Sequence, residues 1–429
     1  MKLKNIIYSI SVFTLLSCSN NEANNSITNK EDYEAFLTES KSTEIQQVKK
    51  NLSFWKDKLE KSPTQYPYLS KIASINTNLF TITGNINYLK EAEKKLLQVN
   101  EKAFSVGNLR ALARNYISQH KFKDALNVLK KVEKNGEELV ATQKMLFDVH
   151  LELGQNDEAK HYLDQIEKYA DFDYFIRAGK WSDHKGDLSS AITFLEKALS
   201  IAKFKNNKDL LVWSYTNLAD FYGHNNEIKK SYQYYLKSLA IQPHNSYAMK
   251  GISWIVYSYE NNPDEALRIL EKIKEQNASP DYSLFIAEIY EYKNDEEMKT
   301  KYLNSFLSQT ENKSYGVMYN SHIAKVILDE FDEQTKAYNI ILQEIENRAT
   351  AESYDLLAWA AFKNGELKKS LSIANEHIVG KSFEPSILYH VAEIYKANGL
   401  LDEASKIKVE LLECGYELGP VTFNKIERL

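Results

Sequence analysis

Small and apolar residues recur along the chain with the spacing of an α-helix. Ala125, for example, is followed by Leu129 and Val132, so that all three share one helical face. Equivalent small residues stand at Ala125, Ala159, Ala191, Ser231, Ala266, Ser370 and Ala404. The first five are separated by 34, 32, 40 and 35 residues, and the last two by 34. A fixed period of this length predicts a repeated helical unit.

A second helix is predicted before each of these segments, because small residues and tyrosines recur there one helical turn apart. The pairs are Ala113 and Tyr116, Ala219 and Tyr222, Ala287 and Tyr290, and Ala392 and Tyr395. Between the two helices, five residues before the small residue, stand Gly154, Gly186, Gly365 and Gly399. Glycine accepts positive φ at little cost, so it can end one helix and release the chain into the next. Each unit is therefore predicted to be a helical hairpin.

Composition agrees with an all-α protein. Only 14 glycines and 7 prolines occur in 429 residues, which is too few for a fold rich in turns and strands. Apolar residues make up 43% of the chain, enough for a continuous core. The net charge is -5 and the mature chain has no long run of one sign, so we expect no nucleic-acid partner.

The N-terminus has the pattern of an export signal. Lys2 and Lys4 precede an apolar run over residues 6–16, which is too short to span a bilayer. The following Leu-Leu-Ser-Cys at 15–18 resembles the lipobox of bacterial lipoproteins, and an ordinary signal peptide with an incidental cysteine is the alternative. The resemblance implies a signal peptide over 1–17, lipidation of Cys18, a flexible tether over 18–30 and a location at the outer membrane of the bacterial cell envelope. Which membrane face the protein occupies stays open.

The repeat resembles the tetratricopeptide family. Residues 217–222 (NLADFY) and 392–399 (AEIYKANG) lie close to the family pattern, whereas the unit near 281–310 departs from it with Lys299 at the small-residue position. The resemblance implies an all-α, right-handed superhelical solenoid of about nine to ten hairpins over residues 68–413. We expect residues 31–67 to form an N-terminal helical cap and residues 414–429 a C-terminal cap.

No pattern for catalysis is present in the sequence. The nine histidines are scattered and form no HExxH pair, and the chain lacks GxxxxGK[ST], GxGxxG and GxSxG segments. The two cysteines, Cys18 and Cys414, are too few for a disulfide framework or a multi-cysteine metal site. We therefore expect no enzymatic activity, no metal and no cofactor.

The tetratricopeptide resemblance implies that the first helix of each hairpin lines an inner groove for protein or peptide partners. Early units place basic residues on this groove and later units place acidic and aromatic ones, which suggests a charge gradient along it. The alternative is that these charges are ordinary solvated helix faces. The implied groove residues are Arg110, Arg114, Lys144, Asp148, Lys180, His184, Trp213, Asp220, Tyr259, Glu288, Glu291, Tyr292, Glu352, Asp355, Trp359, Phe362, Tyr389 and Glu393.

Two functions are compatible with these features. The first is a membrane-anchored scaffold or adaptor that binds protein or peptide partners in the cell envelope. The second is a surface lipoprotein that binds glycan nutrients for an uptake system. Proteins of the second kind interrupt their repeats with long irregular segments that this chain lacks, so the first function is favoured.

Overall fold

The computed structural model describes residues 26–38, 40–331 and 333–429, and the regular structure within them is helical. The predicted signal peptide and Cys18 lie outside these residues. None of the described helices has the length and apolarity needed to cross a membrane. The α-helices are α1 (Lys30–Thr38), α2 (Ser42–Lys61), α3 (Pro67–Thr83), α4 (Ile86–Lys102), α5 (Val106–Ser118), α6 (Phe122–Asn135), α7 (Leu139–Glu152), α8 (Asn156–Ile166), α9 (Phe172–His184), α10 (Leu188–Phe204), α11 (Lys208–His224), α12 (Ile228–Ile241), α13 (Ser246–Trp254), α14 (Pro263–Lys274), α15 (Asp281–Tyr292), α16 (Glu296–Thr310), α17 (Asn320–Glu330), α18 (Gln334–Asn347), α19 (Ala351–Lys363), α20 (Leu367–His377), α21 (Pro385–Ala397), α22 (Leu401–Leu411) and α23 (Gly415–Glu427).

Consecutive helices from α3 to α22 pack as ten antiparallel pairs, and each pair packs on the next. Short 3₁₀ turns follow α8 and α16, and a π-helical segment at Ile255–Tyr259 continues α13 directly. The prediction of an all-α helical solenoid with nine to ten hairpins is confirmed by this arrangement.

The residues that define the repeat occupy the places that their spacing predicts. Ala125, Ala159, Ala191 and Ala266 are fully buried, which lets neighbouring helices approach closely. The turn glycines have positive φ, between 71° and 80° in the four units named above. Three units without that glycine use asparagine instead, with positive φ at Asn226, Asn261 and Asn294. Asparagine is among the few other residues that tolerate this conformation, so the hairpin geometry is kept.

The degenerate unit retains its hairpin by pairing a buried charge. Lys299 takes the place of the small residue and is 8% exposed. Its Nζ lies 2.8 Å from Glu330 and 3.3 Å from Glu291, on the two neighbouring first helices. A buried ammonium is tolerated when carboxylates compensate it, and here they do so from both sides.

Successive turns of the superhelix touch each other. The Arg348 guanidinium lies 3.3 Å from Glu152, although the two residues are 196 positions apart in the chain. A Cβ on Gly154 would lie 2.9 Å from the carbonyl oxygen of Ala349, so this turn glycine serves the close approach as well as the positive φ. The chain therefore winds back onto itself, and later hairpins contact earlier ones.

The N-terminal segment lies on the second helices of the middle hairpins. Helix α2 packs on α3, whereas α1 packs on α12 and α14. Thr28 donates from its backbone N and its Oγ1 to Glu260, at 2.7 and 2.8 Å, and Tyr33 donates to Glu265 at 2.9 Å. Tyr33 is 1% exposed within the core of these hairpins. The described part of the expected tether, residues 26–30, is thus held against the body, and α1 lies away from the expected cap.

The C-terminal helix has two contacts with different parts of the solenoid. Leu418 and Ile426 pack on Leu411 of the last hairpin. The same helix also reaches α11, the π-helical segment and α15, all in the middle of the chain. Gly419 has φ 72° and ψ 160°, which kinks α23 just before Pro420 and lets it serve both places.

Candidate partner-binding site on the inner surface

First helices of the middle hairpins, together with α23, enclose a cavity of about 430 Å³, which we call the inner cavity. Helices α11, α13, α15 and α17 form its wall, and α23 closes one side. Carboxylates and aromatic side chains line it, and these are the groups that could contact a bound segment. The residues considered below are Asp220, Tyr247, Trp254, Phe285, Glu288 and Tyr416.

A backbone carbonyl of α23 is held at the edge of this cavity. The indole Nε1 of Trp254 donates to the Tyr416 carbonyl oxygen at 3.0 Å, and the Ser258 hydroxyl donates to the same oxygen at 2.7 Å. Ser258 belongs to the π-helical segment that continues α13, and such segments are frequent at functional sites. The inner surface thus binds the main chain of a segment that lies about 160 residues away in sequence.

Two tyrosines orient Asp220 in the wall of the inner cavity. Tyr235 donates to one carboxylate oxygen, and Tyr247 donates to the other at 2.7 Å. Burial raises the pKa of Asp220, and the two hydroxyl donors counteract this by stabilising the ionised form. Tyr247 remains 56% exposed, so its ring faces the open space.

Glu288 is the least satisfied carboxylate of the cavity. Its Oε1 is buried without a hydrogen-bond partner, and it faces Gly419, where a Cβ would lie 2.8 Å away. The next residue of α23 is Pro420, which has no N–H to donate. Burial raises the pKa of Glu288 to about 7, opposed by Lys325. Its charge therefore develops as the pH rises through 7.

The inner cavity has an excess of negative charge. Four carboxylates line it, from Asp220, Asp281, Glu288 and Glu417, and Lys250 is the one lysine among the described lining residues. Within the described chain, no lysine or arginine nitrogen lies within 4.0 Å of the first three. Glu417 has a distant partner in His224, at 3.8 Å. Three acidic groups thus face the cavity without a cationic partner.

The basic residues implied for the early groove are engaged elsewhere. Arg110 is 8% exposed and Lys144 is 8% exposed, and both form ion pairs with carboxylates roughly one repeat later. Arg114 stays exposed, with its guanidinium 3.9 Å from the Met145 sulfur. Most of the early basic charges are therefore compensated by carboxylates of the protein. The charge gradient along the groove stays a prediction. The pairs are Arg110 with Glu138, Lys144 with Asp171 and Asp173, and Lys180 with Asp148.

Three of the later groove residues lie around a second cavity of about 760 Å³, where successive superhelical turns meet. Glu352 and Asp355 line it, and Asp355 binds His390 Nδ1 at 2.8 Å. Trp359 is 6% exposed and stacks on the His390 ring at 4.0 Å, so it supports this wall. Carboxylates and basic residues are mixed here, and His322 lines both cavities.

The remaining implied groove residues serve mainly in packing between hairpins. Tyr259 is an exception, since it is 42% exposed in the π-helical segment. Asp220 and Glu288 are the implied groove residues between Trp213 and Tyr292 that line the inner cavity. Trp213 packs edge-on to Phe172 and Tyr292 packs edge-on to Tyr257, both on neighbouring hairpins. Within α21, Tyr389 donates to Glu393 at 3.3 Å.

Several cavity residues were not identified from sequence. Tyr247, Trp254 and Asp281 lie on first helices, but their units match the repeat pattern poorly at these positions. Tyr416 comes from the segment assigned to the C-terminal cap, and no local signal links it to α13. No group of three or more metal-ligating side chains comes together among the described residues.

Comparison with known proteins identifies one repeat directly. The tetratricopeptide repeat family matches residues 214–245, which contain most of α11 and all of α12. Such repeats are protein-interaction modules and typically have no catalytic activity. No curated protein matches the sequence.

Two solved structures are similar over part of the chain. One is a tetratricopeptide repeat protein from Parabacteroides merdae, 14% identical, covering 58% of this chain and 94% of its own, with a TM-score of 0.39. The other is the MamA protein, 20% identical, covering 40% of this chain and 91% of its own, with a TM-score of 0.29. The family match and the ten hairpins together describe a protein that carries tetratricopeptide repeat structure and has the architecture of an interaction scaffold.

Proposed function

We propose that this protein is a scaffold of the bacterial cell envelope that holds a segment of a partner protein on the inner surface of its middle hairpins. A lipid on Cys18 anchors it at the outer membrane. One observation carries the proposal, namely that Trp254 and Ser258 already bind the carbonyl oxygen of Tyr416 from α23. Hydrogen bonds to a main-chain carbonyl are available to any peptide sequence, so this surface is chemically suited to bind peptides.

The space beside α23 is large enough for part of a second segment. The inner cavity of about 430 Å³ lies next to the bound carbonyl and falls within the range of ligand sites. Its wall combines aromatic rings with carboxylates, the mixture that anchors side chains in protein interfaces. A partner segment that continues along α23 would place side chains in this cavity.

The described N-terminal segment and the inner surface belong to opposite layers of the middle hairpins. The N-terminal segment lies on the second helices α12 and α14, whereas α23 lies on the first helices α11 and α15. A lipid on Cys18, which precedes this segment, therefore leaves the inner surface free for a partner. This separation supports a protein that is anchored on one side and binds on the other.

Replacing Cys18 by alanine tests the anchor. We expect Cys18→Ala to move nearly all of the protein from the membrane fraction to the soluble fraction, because multiple acyl chains provide the stable anchoring that this variant would lose. Fractionation of cells that produce each variant measures this, with Cys414→Ala as the matched control. A Cys18→Ala protein that stays in membranes would contradict the lipid anchor.

Site-specific crosslinking in intact cells tests the scaffold. A photo-reactive benzoylphenylalanine at Tyr247 should form adducts with a protein partner, because this ring faces the inner cavity. The same group at Phe204, which is 92% exposed at the end of α10, is the matched control and should give at least about fivefold less adduct.

Equal adduct yields at both positions would contradict binding on the inner surface. No adduct at either position, together with retention of the purified protein on immobilised glycans, would instead favour the glycan-binding alternative.

A further inference from the structure

Carboxylates without a lysine or arginine partner line the inner cavity. Two buried lysines of the repeats are compensated by carboxylates, Lys144 by Asp171 at 2.6 Å and Lys299 by Glu330 at 2.8 Å. In the inner cavity, Asp281 and Glu288 have no such cationic partner, and Glu288 has the Tyr257 hydroxyl beside it instead. A buried carboxylate without a cationic partner is destabilised in its charged form, and a cationic ligand would relieve this.

The aromatic walls of the cavity suit the rest of such a ligand. Trp254 and Phe285 pack at 5.1 Å between ring centroids, and Tyr247 faces the opening with more than half of its surface exposed. The faces of these rings attract cations and also pack against the methylene groups of a long side chain. An apolar stem with a positive end therefore fits both parts of the wall.

We propose that the inner cavity binds the side chain of a lysine or arginine presented by the partner protein, with the cation between Glu288 and Asp281 and the stem against Trp254. This assignment rests on the scaffold function proposed above. The partner segment is thus expected to carry a basic residue where it passes α23. At pH 8, where Glu288 is mostly charged, the four lining carboxylates outnumber Lys250 and the neighbouring Lys325.

Binding of the cation should strengthen as the pH rises from 6 to 8. Glu288 has a pKa of about 7, so it is mostly protonated and neutral at pH 6 and mostly charged at pH 8. The groups that face it are Lys325 on α17, Glu291 on α15, Tyr257 in the π-helical segment and Lys425 on α23. Lys425 already pairs with Glu291 at 3.0 Å, which leaves Glu288 available.

Titration of the full-length protein with short peptides tests the proposal. The ligands are acetyl-Ala-Lys-Ala-amide, the norleucine peptide that lacks the charge, and free cadaverine, each followed by ligand-observed NMR at pH 8. We expect the lysine peptide to bind at least about tenfold more tightly than the norleucine peptide. Glu288→Gln should weaken the lysine peptide about tenfold and abolish its pH dependence, whereas the surface control Glu137→Gln should change affinity less than about twofold. Asp281→Asn is a second variant with the same expected direction.

Other results would overturn the proposal. Equal binding of the lysine and norleucine peptides would identify an apolar site, and equal effects of Glu288→Gln and Glu137→Gln would place the cation outside the cavity. If cadaverine bound tenfold more tightly than the lysine peptide, the cavity would be a site for free amines and not for a side chain of a partner protein. If none of the three ligands bound, the proposal that the cavity recognises a cation would be wrong. Crosslinking at Tyr247 decides the scaffold function independently, so failure of one proposal is distinguishable from failure of the other.

Discussion

Gly251→Ala is expected to destabilise the protein by about 2–3 kcal/mol, although alanine normally improves the interior of a helix by about 0.5–1 kcal/mol. A Cβ at this position of α13 would lie 2.2 Å from the ring of Tyr235. Tyr235 is 3% exposed and donates to Asp220, so its ring cannot move aside without breaking this contact. The substitution therefore disturbs the wall of the inner cavity together with the core.

Urea denaturation compares this variant with Gly107→Ala. Gly107 lies in the first turn of α5, and the nearest atom to its added Cβ is the Ser105 hydroxyl at 3.7 Å. The control should therefore be neutral or stabilising by up to about 1 kcal/mol. If both variants were equally stable, Tyr235 would not pack across α13 as described.

Tyr416→Ala is expected to lower the free energy of unfolding by about 2–3 kcal/mol and to release α23 from the inner surface. The Tyr416 ring lies directly on the backbone of α11, since a Cβ on Gly223 would be 2.6 Å from it. Removing the ring eliminates this contact and leaves a space that a helix backbone cannot fill. The carbonyl bound by Trp254 and Ser258 then loses the side chain that positions it.

Tyr169→Ala is the matched control for this prediction, because Tyr169 is 45% exposed in a 3₁₀ turn on another part of the surface. Its effect should stay within about 0.5 kcal/mol. Chemical denaturation of both variants measures the difference. A Tyr416→Ala protein as stable as the control would show that α23 contributes no anchoring contact through this ring.

The hairpins could be predicted from sequence because their determinants are local. Ala125 and its counterparts have to be small where helices approach, and Gly154 and its counterparts need positive φ. The same residue types therefore recur in the sequence at the period of the repeat. Lys299 shows the limit of this reasoning, since its hairpin depends on carboxylates from neighbouring units. Even there, the surrounding apolar pattern was sufficient to place the unit.

The closure of the superhelix could not be predicted in the same way. It depends on small rotations between hairpins that accumulate over many units, and no single residue encodes their sum. The contact between Arg348 and Glu152 is visible only after the chain has wound back across 196 residues. For the same reason the tail was assigned to a cap, whereas Tyr416 also reaches the middle hairpins.

The pairing of the early groove charges has a signature in the sequence. Lys144 bonds Asp171 across 27 positions, and Arg110 bonds Glu138 across 28. Opposite charges separated by slightly less than one repeat are placed on adjacent hairpins, so they are expected to pair rather than to remain free. No lysine or arginine stands 27 or 28 residues from Glu288, in agreement with its lack of an ion pair.

Hydrogen–deuterium exchange of α23 in the full-length protein tests most directly whether the inner surface holds a peptide segment. We expect the amides of residues 416–427 to exchange within about tenfold of those in α15, because the two helices pack on each other. Exchange of α23 at the rate of an unstructured peptide, while α15 and α21 remain protected, would contradict it.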